Sequence, residues 1–541
     1  MNARTRGLAW PALYLALAIV HTWPLASDPA HLSRHDNADA QLNEWIVAWV
    51  AHQLPRNPTA LFDANIFHPE PRTLAFSESL VVPALMVAPL QWVGVSTLAS
   101  YNLLVILGLA LTGWLTHRLV ARWTGDEWAG VAAGCLAAFN AHTLTRLPHV
   151  QAVHAEFLPM TLLALDQLFV RARVRDALRL AGWFTLQALS STYLMVFTAI
   201  GCVVAAAARP GEWFGPRAHV VLPRIGLAAA VSGLALAGFL YPYYRASVDQ
   251  GLSRSLADVA MYSASPADYL STAGRLHFAA WSHRFYEPGA SSLFPGLTAL
   301  LLAGVAALGG HLWHDRRARM VAAIGVVGAV LSFGPVLPIY RWLYAVFPLL
   351  HGIRNASRFG FLALFAIAVL AGFGLARVRQ WAAGRWSPFT VLLITIGLLL
   401  AINLEAIRAP LPYTRAAPLS PVYDRLAEIP GAVVVELPFP SPERIDANAP
   451  YVLASTRHWK PLVNGFSGFV PDSYLRHAAT LGAFPSPESM TMLRRLGVTH
   501  LVAHGTPLRE AIEASAVGRS LTHVAGDDEV RLYRVGPPAT D

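Results

Sequence analysis

The sequence predicts a polytopic α-helical membrane protein of about 11 transmembrane helices, with a small C-terminal α/β or α+β domain outside the membrane. Three observations predict it. The 541 residues are 55% hydrophobic and only 13% charged, where a soluble domain carries roughly 25% charged residues. The apolar residues gather in runs near the ~20 residues that a bilayer-crossing helix needs. Past residue 405 the pattern changes to short stretches of helical and alternating period. The net charge of +9 is almost all arginine, Lys460 being the one lysine. This charge sits in short inter-helix loops, which argues for membrane orientation and against nucleic acid. Cys135 and Cys202 lie in apolar runs and imply neither a disulfide framework nor a thiol metal site.

Arg4 and Arg6 precede the first apolar run, as in a signal peptide. His21, Trp23 and Pro24 stand where a small-residue cleavage site would be, so residues 8–26 read as an uncleaved span. Ten more spans follow, at 97–117, 127–141, 152–170, 177–191, 193–208, 225–243, 293–311, 320–335, 359–376 and 388–405. Several are short. Broken spans are tolerated where they line a polar cavity, and the pairs 127–141 with 152–170 and 177–191 with 193–208 fit that description. With the N-terminus inside, the clusters Arg118/Arg122, Arg171 to Arg179, Arg209 to Arg224, Arg316 to Arg319 and Arg377 to Arg385 all fall on the cytoplasmic side. Counting residues 79–95 as a span would reverse this. They are therefore expected as an interfacial or re-entrant helix on the outer face, interrupted by Pro83 and Pro89.

The organisation follows. Residues 1–408 form the transmembrane domain, with a first outer loop at 27–96 and a second large one at 244–292. Residues 409–420 are a Pro-rich linker, and 421–541 form the outer C-terminal domain. In that domain 422–429 and 472–496 are helix-like, 432–437 and 498–503 are strand-like, and 529–535 looks like an edge strand. The localisation expected is a membrane, crossed many times with the N-terminus in the cytoplasm. No internal repeat marks a transporter of inverted halves.

Chemistry concentrates in outer segments. After the first span come Asp36, Asp39 and Glu44, three carboxylates at a membrane surface, where acids are functional-site candidates. Leu42, Trp45, Ile46 and Trp49 are at helical spacing, so this segment is expected as an amphipathic interfacial helix. The competing reading is an acidic helix cap. Asn65, His68, Arg72 and Glu78 lie in a turn-rich stretch able to hold a polar ligand. Arg146 and His149 sit between two short spans and suit a phosphate. Arg354 and Arg358 flank a helix expected to begin at Ser357 or Arg358, whose free N–H groups and dipole make an anion site. Glu287, and His458, Trp459 and Asn464 in the C-terminal domain, are further substrate-binding candidates. Asp36, Asp39 and Glu44 could help hold a divalent metal, but their spacing is not diagnostic of one.

This layout resembles the GT-C superfamily of membrane glycosyltransferases, which use polyprenyl-phosphate sugar donors. Protein O-mannosyltransferases, the aminoarabinose transferase of lipid A and the proteins that glycosylate teichoic acids are relatives. The resembling residues are Asp39 with Trp45 to Trp49, Asn65 to Pro69, Tyr101 to Leu104, Arg146 to His149, Leu293 to Gly296 and Arg354 to Phe359. Many relatives carry an Asp-Glu pair in the first loop, whereas here the acids are spaced as Asp36, Asp39 and Glu44. The resemblance implies Asp39 as catalytic base, with Asp36 second. It implies Arg354, Arg358, Arg146 and His149 as holders of the donor phosphate, and a polyprenyl-phosphate-linked sugar and an envelope glycan, lipid or protein acceptor as partners. One base and a phosphate leaving group fit transfer with inversion. A transporter or flippase for a lipid-linked or anionic substrate, or a non-catalytic envelope scaffold, are the competing functions.

Overall fold

The computed structural model describes residues 3–536, with side chains from residue 8. Arg4, Arg6 and the end of the expected C-terminal domain at 537–541 lie outside the described residues or side chains. A helix stands at each of the eleven expected spans, from Ala3–His21 to Pro388–Ala406. Five helical stretches are long and apolar enough to cross a membrane: Thr97–Thr124, Val150–Arg171, Gly215–Gln250, Ala356–Ala383 and Pro388–Ala406. Others are shorter. Leu297–Leu308, with 12 residues, rises about 18 Å at 1.5 Å per residue, less than the ~30 Å hydrocarbon layer.

The chain divides into two compact units. The first comprises Met1–Asp28, Asn102–Phe239 and Ser253–Pro412. Its centre is the helix Gly360–Ala383, buried along most of its length. Small residues let neighbours close on it. At Gly374 an added Cβ would lie 1.8 Å from the carbonyl oxygen of Leu302, and at Gly328 2.5 Å from the Leu362 Cβ.

The arginine loops meet at one end of this unit. Asp166 accepts from Arg209 at 2.6 Å, Arg317 at 3.0 Å and the Trp123 indole at 3.1 Å. Glu212 pairs with Arg217 at 3.3 Å and with Arg316, and Arg379 with Asp126 at 2.7 Å. Four of the five basic loops are thus tied together, and Arg217 reaches the Val170 carbonyl at 3.1 Å, beside the fifth. Asp166 and Arg209 are both almost fully buried, so each needs the other.

The second unit comprises Pro29–Tyr101, Leu240–Leu252 and Tyr413–Asp541. The long first loop, expected within the transmembrane domain, therefore packs with the C-terminal segment. Residues 65–68 hydrogen-bond to 462–464: Leu462 N–H to the Asn65 carbonyl at 2.7 Å, Phe67 N–H to Asn464 at 3.0 Å and His68 N–H to Leu462 at 2.9 Å. Leu462 in turn bridges Val434. The main sheet runs in the order Val434–Leu437, His500–His504, Val530–Val535, Leu521–Gly526. The first pair is parallel and the others antiparallel.

Three expectations are corrected here. The strand Val530–Val535 is internal, and the edge is Leu521–Gly526, which the sequence reading missed. The expected helix 472–496 is two helices, Asp472–Gly482 and Pro487–Arg495, parted at Pro485 and restarted by a Ser486 capping box. The acid-bearing helix Ala38–Gln53 is not amphipathic: every residue from Ala40 to Ala51 is buried, so Trp45 and Trp49 are core. One face of Val81–Trp92 packs on it, while Leu85 and Trp92 stay about half exposed. That helix has 12 residues.

Candidate active site

In the second unit, Asn37 caps the helix Ala38–Gln53. Its side chain accepts from Asp39 N–H at 2.9 Å and Ala40 N–H at 3.3 Å. The cap is therefore neither aspartate. Asp36 is exposed and held by both nitrogens of the Arg34 fork, at 2.9 and 3.1 Å. Glu44 is 3% exposed and accepts from His35 Nε2 and Thr97 Oγ1, each at 2.8 Å. Asp39 is half-buried in the first helical turn, where the dipole stabilises its ionised form. Among the described residues no three His, Cys, Asp or Glu side chains are grouped to hold a metal ion.

The polar stretch after it serves the fold. Asn65 is buried and donates to Ser455 Oγ at 3.1 Å and the Lys460 carbonyl at 3.2 Å. Arg72 adopts φ 55°, pairs with Asp249 and gives its N–H to Asp63 at 2.9 Å. Burial lowers the His68 pKa, against a hydrogen bond from the imidazole to the Leu496 backbone. Glu78 is buried. In the C-terminal segment, Asn464 is fully buried. It accepts from Glu436 N–H at 2.7 Å and donates to the Glu436 carbonyl at 3.0 Å and Asn448 at 2.9 Å. His458 is buried against the Tyr423 ring, and its Nδ1 accepts from Lys460 N–H at 2.9 Å. Asn65, Asn464 and His458 therefore brace this unit instead of facing a ligand. Trp459 is different: it is half-buried, stacks on His52 at 4.2 Å and holds φ 54°. Such a conformation is costly for a bulky residue and collects at functional positions.

The first unit brings the phosphate candidates together. Arg146, 9% exposed, donates to the carbonyls of Gly289 and Ala290 at 3.2 and 3.3 Å, and to Ser291 Oγ at 3.5 Å. Ser291 Oγ lies 2.5 Å from Ser357 Oγ, which donates to Asn355 Oδ1. Arg354 lies over the Tyr262 ring at 4.9 Å and Arg358 over the Tyr193 ring at 4.8 Å. Neither guanidinium has a carboxylate within ion-pairing distance among the described residues.

Burial lowers the pKa of His142, and the charges of Arg146, Arg358 and His149 lower it further. Arg254 is lowered by burial and then by Arg354. Positive charge is thus concentrated on one part of this unit. Glu287 is exposed on the neighbouring loop. The expected helix-end N–H site is corrected. A 3-10 turn, Ala356–Phe359, precedes the helix at Gly360. The Arg354 and Asn355 N–H groups donate to Tyr193 Oη at 3.1 and 3.3 Å, and Ser357 N–H to the Tyr262 carbonyl at 3.1 Å. The positive charge here comes from side chains, the backbone N–H groups being already bonded. Sequence reasoning missed Tyr193, Tyr262 and His142, whose only signal is an aromatic or imidazole beside a polar break in an apolar run.

No family model and no curated protein matches the sequence. Among solved structures, the chain matches the arabinofuranosyltransferase AftD from Mycobacteria with a TM-score of 0.61 at 16% identity, over 99% of this chain and 42% of that one. The chain has a GT-C fold. It spans about two-fifths of AftD. An Archaeoglobus fulgidus oligosaccharyltransferase matches at a TM-score of 0.49 and 13% identity over 93% of this chain and 70% of that one. ArnT from Cupriavidus metallidurans, bound to undecaprenyl phosphate, matches at 0.48 and 12% over 99% of this chain and all of that one. At such identities the AftD likeness establishes the fold.

Proposed function

We propose that this GT-C-fold chain is a glycosyltransferase that moves a sugar from a polyprenyl-phosphate donor to an envelope hydroxyl. The reaction takes place on the outer face of a bacterial inner membrane. The chain crosses the membrane eleven times with its N-terminus in the cytoplasm, and the arginine loops gathered at one end support that orientation. The observation that carries the reading is the arginine pair Arg354 and Arg358, with no carboxylate at ion-pairing distance among the described residues, in the same unit as Arg146 and His149. Such a cluster suits a phosphate leaving group.

In this account Arg354, Arg358, Arg146 and His149 hold the donor phosphate and stabilise the charge that grows on it. The acceptor oxygen attacks the anomeric carbon, the bond from that carbon to the phosphate oxygen breaks, and its electron pair stays on the phosphate. Asp39 takes the hydroxyl proton. Asp36 is the weaker candidate, because Arg34 already holds both of its oxygens. Attack by the acceptor itself gives inversion. Trp459, Glu287, Glu78, His68 and Arg72 remain as candidate substrate contacts. Mass spectrometry of envelope glycolipids and glycoproteins from cells with and without the protein tests the reading. A glycan that disappears supports it; an unchanged profile overturns it.

A further inference from the structure

The loop between the helices Arg316–Ser332 and Gly360–Ala383 carries a surface that the proposed transfer does not use. Arg317, at the start of the first helix, joins the Asp166 cluster, and Arg379, near the end of the second, pairs with Asp126. The loop connects their other ends, so it lies at the end of this unit away from the arginine loops. It holds the nine-residue helix Pro338–Val346, between the turns Gly334–Val336 and Pro348–Gly352.

The two sides of this helix differ. Tyr340 is its one buried residue and stands edge-on to Phe359 at 6.5 Å. On the same side Tyr344 Oη donates to the Arg254 carbonyl at 2.5 Å, and Arg254 N–H donates to the His351 carbonyl at 2.9 Å. The other side is bare. Ile339, Trp342 and Val346 recur there at intervals of three and four residues. Val336, Phe347 and Leu349 extend the patch, and all six are 49–69% exposed. Contiguous exposed apolar surface of this kind marks an interaction site.

Composition selects the partner. Tryptophan and tyrosine beside an apolar face belong to a membrane–water boundary. Arg341 stands at the edge of the face, about 100° round the helix from Trp342. There its stem can lie on hydrocarbon while its guanidinium reaches a phosphate. No Asp or Glu occurs between Asp315 and Glu405, so the charge of this loop is wholly basic: Arg341, Arg354 and Arg358. That sign complements anionic headgroups. Along the chain the apolar surface continues from the lipid-facing side of the preceding helix, where Val326 is 64% exposed.

We propose that Pro338–Val346 lies in the surface of a bilayer containing anionic phospholipid. Its apolar face sits about 5–10 Å into the boundary of headgroups and acyl chains, with Arg341 on a headgroup phosphate. Through Tyr344 and Tyr340 this anchor holds the Arg254 and Arg358 segments at the level of the headgroups. The contact does not depend on sugar transfer. Power-saturation EPR tests it on the full chain reconstituted in equal parts of phosphatidylglycerol and phosphatidylcholine. Trp342→Cys or Val346→Cys carries the nitroxide, with Cys135→Ala and Cys202→Ala removing the native thiols. Glu510→Cys, on the exposed side of Thr506–Ala514, is the water reference. Melting temperature confirms that each variant is folded.

The expected result is a depth of about 5–10 Å at both loop positions, with oxygen collisions exceeding those of a nickel chelate. Arg341→Glu, added to Val346→Cys, should at least halve that depth. Nickel access equal to that at Glu510→Cys means that water covers the face. Low access to both reagents means that protein covers it, and spin–spin broadening then identifies a second copy of the chain. Either result overturns the membrane contact. A depth unchanged by Arg341→Glu overturns the headgroup contact.

Discussion

His458 offers a test of whether the C-terminal segment uses its polar residues for packing or for substrate. Its imidazole is 5% exposed, and burial, with the Lys460 charge second, pushes its pKa down from 6.5 to about 3. In the unfolded chain it titrates near its ordinary value. The folded pKa is depressed, so its contribution to stability is full above pH 6.5 and is lost as pH falls toward 3. One pKa unit is 1.36 kcal/mol. Between pH 7 and pH 5 the unfolded state takes up a proton that the folded state refuses, which costs about 2 kcal/mol. The assay is the melting temperature and amide exchange of residues 458–464 in the full chain at pH 7 and pH 5. His458→Gln keeps an acceptor near the Lys460 N–H but does not titrate, so the acid-induced loss should shrink by about 2 kcal/mol relative to wild type. Donor turnover should be unchanged at pH 7. An identical pH dependence in the two proteins, or a large loss of turnover in the variant, refutes the reasoning.

Further outcomes follow. Arg354→Gln with Arg358→Gln should raise the donor KM tenfold or more, since charge-assisted hydrogen bonds are worth about 1.5–3 kcal/mol each; the melting temperature should hold, because Arg354 is exposed. Asp36→Asn should keep most transfer activity, because it breaks only an exposed ion pair with Arg34 worth about 1 kcal/mol or less. Asn464→Ala should destabilise the full chain by about 3 kcal/mol in denaturant titration, as it leaves the buried Glu436 and Asn448 groups unpaired. Asp166→Ala should cost about 3 kcal/mol, because buried Arg209 would keep only its 3.5 Å contact with Glu212.

Much of the membrane unit was legible because bilayer length and arginine bias are strong constraints on local sequence. Four of the five basic loops are tied together, and Arg217 reaches the edge of the fifth. Asp166, which gathers them, was not visible, as a single acid in an apolar run gives no sign of a partner 43 residues away. The acid segment was legible as a helix start but not as a buried one: Leu42, Trp45, Ile46 and Trp49 fit an interfacial stripe, yet Asn43 and Glu44 are buried too. The pairing of the first loop with the C-terminal segment spans up to 395 residues, and no local pattern announces it. Asn65, Asn464 and His458 look like ligand contacts in sequence because they are polar. They are polar because the junction between 65–68 and 462–464 leaves backbone groups that need partners. The strand Leu521–Gly526 was missed because Thr522 and His523 are exposed neighbours that break the alternation.

The most direct test of the central claim uses the purified full chain, a polyprenyl-phosphate pentose or hexose donor and an envelope extract as acceptor. Release of polyprenyl phosphate is measured for the wild type and for Asp39→Asn. The account predicts acceptor-dependent release by the wild type and loss of at least a hundredfold in the variant, with both proteins inserted and melting alike. Full release by Asp39→Asn would remove Asp39 from the mechanism, and no release by the wild type from any donor would contradict the transferase assignment itself.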